Sequence, residues 1–300
     1  MLRMEKQQRK RRQDGYHPRQ EHWSRSEVEA MDTEEIFDKL YFFGVYISEK
    51  GFLNQISQNN SAQVLAEKWF DRYDLEVDEF DEDFPFLAVW VLWERLAPEK
   101  MYDEKLDALM MQGYRWIYDQ ERLHEGCDLW LEFWDIFRER IPDNIKDINE
   151  TNNVFPFSQY LQNWVQDMEM NLHNAAANRI DGKPEYYYKL KDFLEEFLER
   201  FPESDEGIIF NMRRALAAVY GDIGEIEEAE ERYKKLVQEF PDNAFAYIGW
   251  GDMYYQSGRN SNIEDIKKAR KLYQKAIGKG LEDEDVALER LEDLENQFDL

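Results

Sequence analysis

The stretch from Phe210 to Leu281 constrains the fold most, because it is written nearly twice. Leu216, Ala217 and Tyr220, then Ala229, Tyr233, Leu236 and Pro241, return as Trp250, Gly251 and Tyr254, then Ala269, Tyr273, Ala276 and Leu281. Tyr220 to Tyr254 is a step of 34 residues, the length of one helical hairpin in a stacked array. In each copy a small residue stands three places before the Tyr. An Ala, an aromatic and a further small or apolar residue follow at spacings of four and three. Those spacings put large and small side chains on one face of each of two antiparallel helices, so the small residue admits the neighbouring helix and the aromatic fills the space beside it. One such hairpin cannot bury its apolar face alone, whereas stacked copies can.

The rest of the chain predicts helices throughout. Asp32 and Thr33 cap a helix with the stripe Ile36, Phe37, Leu40 and Phe43, stopped at Gly44. Ser48 and Ser61 open two more. Pro85 starts Phe86 to Leu96, apolar on nearly all sides and so the expected central helix of the first part. Residues 101–140 form a degenerate hairpin in which Gly113, then Cys127, Leu131 and Trp134, echo the repeat. The polar stretch Pro142 to Asn153 breaks the chain into halves. After it come a helix near Gln159 to Arg179 and its partner, Glu185 to Phe201, an irregular third repeat. The last repeat carries six extra residues around Gly258 to Asp265. Leu288, Leu291, Leu294 and Phe298 stripe a charged terminal helix of the kind that caps an array. The expected fold is all-α, with a basic arm over 1–25, a helical domain over 26–153 and a repeat domain over 154–300.

Charge is the unusual bulk property, at −27 overall. Residues 1–25 hold eight Lys or Arg against Glu5, Asp14 and Glu21, so the remaining 30 basic and 62 acidic residues leave −32 on the body. Such a body repels nucleic acid and anionic membrane at long range and favours cationic partners. The cluster Arg9-Lys10-Arg11-Arg12 keeps open an alternative, nucleic-acid association through the arm. Cys127 is the only cysteine, which excludes an internal disulfide and predicts a reducing, cytoplasmic setting. The first residues lack a secretory h-region, and the longest apolar run, Phe84 to Trp93, is interrupted by Pro85 and too short to span a bilayer.

Candidate chemistry is sparse. Glu169 and His173 are i,i+4 on one helix, but no matching motif elsewhere completes a metal site, and a surface ion pair or a capped core histidine explains them. His124 and Cys127 form an HxxC without an identifiable base and orienting group, and a small buried side chain explains Cys127. Gly221 to Gly224 is an inter-helix turn, not a phosphate loop. Most Trp residues sit on helical stripes and read as core, not as a stacking surface. No catalytic, cofactor or metal residue is assigned, although an enzyme with a metal site on the acidic turn Asp78 to Asp83 is kept as a further alternative.

Over residues 160–281 the repeats resemble the tetratricopeptide superfamily. Phe80 to Phe84 through Leu92 to Pro98, Asn163 to Met170, and Asn211 to Arg214 through Tyr247 to Tyr254 also resemble bacterial helical-repeat proteins that often end in a cysteine-rich SEC-C zinc motif. This chain has no such cysteine cluster, and the group implies no established reaction. The tetratricopeptide resemblance implies an inner face made by first-helix positions two, five, nine and twelve. Counted from Phe210 and Ala244, these are Asn211, Arg214, Ala218 and Gly221, then Phe245, Ile248, Asp252 and Tyr255; the irregular repeat adds Leu172, Ala175 and Arg179. Arg179, Asn211, Arg214, Phe245, Ile248, Asp252 and Tyr255 are therefore the expected partner-binding residues. They lack the Lys/Asn set with which chaperone-binding members clamp a terminal carboxylate. The expected function is a non-enzymatic adaptor that holds a cationic or amphipathic peptide or helix in the groove.

Overall fold

Helix spacing dominates the sequence, and the described residues are helical with no strand. A computed structural model describes residues 22–73, 75, 77–78, 80–178, 180–255, 262–278 and 283–298. Almost all of the basic arm, Arg179 and half of the expected insertion lie outside the described residues. The chain divides into two contact-defined units: 1–119, 129–139 and 152–159 in the first, and 120–128, 140–151 and 160–300 in the second.

In the first unit α1 (Arg25–Ala30), α2 (Thr33–Phe42), α3 (Glu49–Ser57), α4 (Ala62–Tyr73), α5 (Phe84–Leu96) and α6 (Asp103–Tyr114) follow in order. Local chemistry sets the boundaries. Asp32 caps α2 through Glu35 N at 2.8 Å, and Glu35 returns the bond to Asp32 N. Gly44 ends the helix at φ +92°, a backbone shape that a side chain disfavours. α4 borrows its cap from α6: Glu104 accepts from Ser61 Oγ at 2.6 Å and from the Ala62 and Gln63 backbone at 3.0 and 2.9 Å, so a carboxylate meets the positive end of the helix. α5 has Pro85 in its first turn and buries Phe84, Leu87, Val91, Leu92 and Trp93, which makes it the hub against α1, α2 and α4.

α7 (Leu123–Arg138) contributes residues 123–128 to the second unit and the rest to the first. In the first unit Trp130 lies flat over Gly113 of α6, where a Cβ would sit 2.3 Å from its Nε1. The Trp130 Nε1 donates to Met110 O at 2.9 Å, which satisfies the buried indole.

The second unit is a run of hairpins: α8 (Leu161–Ala177) with α9 (Glu185–Arg200), α10 (Glu206–Asp222) with α11 (Ile226–Glu239), and α12 (Ala244–Tyr255) with α13 (Ile263–Ile277), followed by α14 (Glu284–Phe298). Consecutive helices pack on each other, and first helices touch first helices: α8 on α10, α10 on α12, α12 on α14. The regular hairpin shows the reason in its stripes, since Ala217 and Tyr220 on α10 and Ala229, Tyr233 and Leu236 on α11 are all buried.

Residues 142–151 of the polar stretch belong to this unit and are held by its helices. Arg200, at the end of α9, donates to Ile145 O at 2.8 Å, Ile141 O at 3.0 Å and Pro142 O at 2.7 Å. Ile148 N donates to Ser204 Oγ at 3.0 Å, and Glu203 N to Lys146 O at 3.1 Å. The stretch ends in a 3-10 helix, Ile148–Asn153, and one guanidinium and a serine satisfy part of the backbone before and at its start.

Candidate functional site

The two 34-residue copies share more than apolar packing. Tyr220 of α10 donates its hydroxyl to Glu195 of α9, and the Arg232 guanidinium of α11 lies 4.3 Å above the Tyr220 ring and 3.8 Å from Glu195. One repeat on, Tyr254 of α12 donates to Glu230 of α11, and Lys268 of α13 lies 4.8 Å above the Tyr254 ring and 3.5 Å from Glu230. Each joint between hairpins is thus sealed by a tyrosine, a carboxylate and a cation, with the cation attracted by both the ring face and the acid. Burial, more than the acid beside it, pushes both phenols above their ordinary value. These three-residue seals are structural.

The face made by the first helices carries a different set of polar groups. From α8 come Glu169 and His173; from α10 come Asn211, Arg214 and Asp222; from α12 comes Asp252. The expected pairing of His173 with Glu169 is replaced by His173 Nε2 to Asp222 Oδ2 at 3.4 Å, and that bond holds the imidazole pKa above its ordinary value despite opposing burial. Glu169 makes no hydrogen bond or ion pair among the described residues. Burial raises its carboxyl pKa, with Arg214 and then His173 opposing. Arg214 likewise has no direct partner among the described residues, although it acts at short range on Glu169, His173, Tyr233 and Asp252. The Asn211 amide donates to Gln166 Oε1 at 3.2 Å.

The positions expected on the inner face divide accordingly. Arg179 lies outside the described residues. Asn211 and Arg214 sit half-buried beside Glu169 and His173, and Phe245 is 37% exposed. Ile248 does not offer a side chain to a ligand: it is 3% exposed and belongs to the core. Asp252 and Tyr255 are already engaged within the chain. Asp252 accepts from the Tyr273 hydroxyl at 2.7 Å and lies 3.4 Å from Arg290 Nε of α14. Tyr255 donates to Gln297, and its ring meets Phe298 at 6.0 Å. α14 therefore covers the last repeat's share of the face, burying Ala287 and Leu294 as it does so. The expected stripe on α14 is shifted, since Leu288 is 38% exposed.

Glu169 and Tyr233 were not among the expected positions. Tyr233 is 1% exposed, its ring stacks on Trp250 at 6.3 Å, and its hydroxyl has no hydrogen-bond partner among the described residues. Alignment of the copies contains a signal for it. Asp252, the partner of Tyr273, falls 34 residues after Ala218, which cannot accept a hydrogen bond from Tyr233.

Other candidate groups have structural partners. Burial, and then Asp128, push the Cys127 thiol up to about 12, which disfavours a thiolate. His124 Nε2 lies 3.1 Å from Ala175 O. In the acidic turn Asp78 caps the Phe80 and Asp81 backbone, Asp81 accepts from Trp23 Nε1 at 2.7 Å, and Asp83 faces His22 at 3.7 Å. Among the described residues no group of three or more His, Cys, Asp or Glu converges on a point that could hold a metal. None of the helices there is long and apolar enough to cross a membrane. The sequence matches no family model, and no curated protein matches it.

Proposed function

We propose that the chain is a non-enzymatic, tetratricopeptide-like adaptor that holds a segment of a partner protein against the first-helix face of α8, α10 and the start of α12. The observation that carries this reading is the contrast along that face. α14 satisfies Asp252 and Tyr255, whereas Glu169 on α8 and Arg214 on α10 keep charged groups without direct partners among the described residues. Half-buried charges are costly unless paired, so a charged pair left open on a packed face suits a ligand that supplies the missing donors and acceptors. The acidic balance of the body favours a segment that is basic overall.

Site-specific photo-crosslinking in the native cell tests the assignment. A photoreactive residue at Asn211 is expected to capture a discrete partner, and one at Lys235, on α11, is not. Arg214→Glu should weaken capture at the Asn211 position about tenfold or more. Equal capture from both positions, unaffected by Arg214→Glu, would remove the face from consideration.

A further inference from the structure

Among the differences between the two repeats, the exchange of Asp252 for Ala218 removes the acceptor of one tyrosine. In the last repeat the Asp252 carboxylate accepts the Tyr273 hydroxyl and meets Arg290 from the following helix. In the regular repeat the tyrosine is present as Tyr233, but Ala218 stands where Asp252 would be. The following helix presents Gly249 there. A Cβ on Gly249 would lie 3.2 Å from Tyr233 Oη, 3.3 Å from Tyr233 Cε1 and 3.6 Å from Arg214 Cγ. The missing side chain of Gly249 thus leaves a notch bounded by a phenol that has no hydrogen-bond partner among the described residues and by the stem of an arginine in the same condition.

We propose that this notch receives a carboxylate side chain, an aspartate or glutamate of the bound segment, which accepts from Tyr233 and pairs with Arg214 as Asp252 accepts from Tyr273 and pairs with Arg290. The inference rests on the adaptor reading and adds the chemistry of one recognition position to it. The Tyr233 hydroxyl offers a free donor at the edge of a packed position, and a charge-assisted bond from Arg214 to the same acceptor is among the stronger polar contacts available. Glu169 and Asp222 lie on the same face and oppose a second acid, so the notch takes one carboxylate in a segment otherwise basic or neutral. The intramolecular model for the contact is a side-chain carboxylate, which is why a side chain and not a chain terminus is assigned.

Selection of a random-peptide display library on the full chain tests this. Peptides whose binding falls on substitution of Asn211 or Arg214 should share one Asp or Glu. Changing that residue to its amide, or changing Tyr233→Phe in the protein, should weaken binding about tenfold or more. Ala218→Asp, which supplies the carboxylate from within, should abolish binding while leaving the melting temperature unchanged or higher. Face-binding peptides that need no acid, or that bind Tyr233→Phe equally well, would overturn the notch and leave the adaptor reading standing. Binding that depends only on a free C-terminus and is lost on amidation would overturn the side-chain assignment. If no selected peptide responds to Asn211 or Arg214, the adaptor reading and the notch both fall. Should Ala218→Asp not fold, Tyr233→Phe and the amide peptide decide the matter alone.

Discussion

The regular repeat, α10 and α11, and the last repeat, α12 and α13, share their joints and differ in their exposed chemistry. Both place a tyrosine of the first helix on a glutamate of the preceding hairpin under a cation of the second helix. Both bury a small residue at the matching position, Ala217 in one and Gly251 in the other, where a Cβ on Gly251 would lie 2.4 Å from Tyr273 Cε1. On the first-helix face they part. Tyr273 and Asp252 close on Arg290 of α14, whereas Tyr233 and Arg214 face Gly249. A fixed period maintains contacts between layers, because each joint must fit its neighbour. It leaves the chemistry of the open face to individual residues.

The largest expected effect tests the packing half of that comparison. Gly251→Ala forces a methyl into the fully buried Tyr273 ring and should cost about 1–3 kcal/mol in denaturant unfolding. Ala217→Gly at the matching position should cost about 1 kcal/mol or less. If the two substitutions cost the same, the repeats do not differ in tightness there. Next in size is the polar half. Tyr273→Phe leaves the half-buried Asp252 without its neutral donor and should cost about 1–2 kcal/mol. Tyr233→Phe, which removes no hydrogen bond among the described residues, should leave stability within about 0.5 kcal/mol of the parent. A large loss at Tyr233 would show a partner within the chain and close the notch. The smallest effect is expected at Glu169, whose carboxyl pKa lies above its ordinary value through burial. Since the folded state holds that proton more readily than the unfolded state, stability falls as pH rises from the ordinary carboxylate range through the raised value. Glu169→Gln should therefore melt above the parent at neutral pH and level with it in acid. Parallel melting curves at every pH would show that the group is not desolvated.

Helix order, caps and the repeat period were readable because they rest on short-range rules: Asp32 and Ser48 at N-caps, Pro85 in a first turn, small and aromatic residues at four and three. The face was readable only in part. Position counting treats each first helix as presenting the same side, but Ile248 turns into the core and α14 takes Asp252 and Tyr255. Neither outcome follows from a period, since both depend on what the following helix carries. The exchange of Glu169 for Asp222 as the partner of His173 has the same origin: the true partner is on α10, forty-nine residues away, and no local spacing points to it. Glu195 and Glu230 at the joints were likewise hidden among the many acids of solvent-facing stripes.

The three hydrogen bonds that Arg200 donates to Ile141, Pro142 and Ile145 have a practical consequence for anyone who wishes to isolate the repeats. The Asp- and Asn-rich stretch invites a cut just after it, yet a fragment starting at residue 154 would discard every carbonyl that this guanidinium uses and strand the cation at the end of α9. A fragment starting at residue 140 keeps the carbonyls with their donor. Truncation there preserves the internal solvation of Arg200, so the polar stretch serves as the first course of the masonry that the repeats continue.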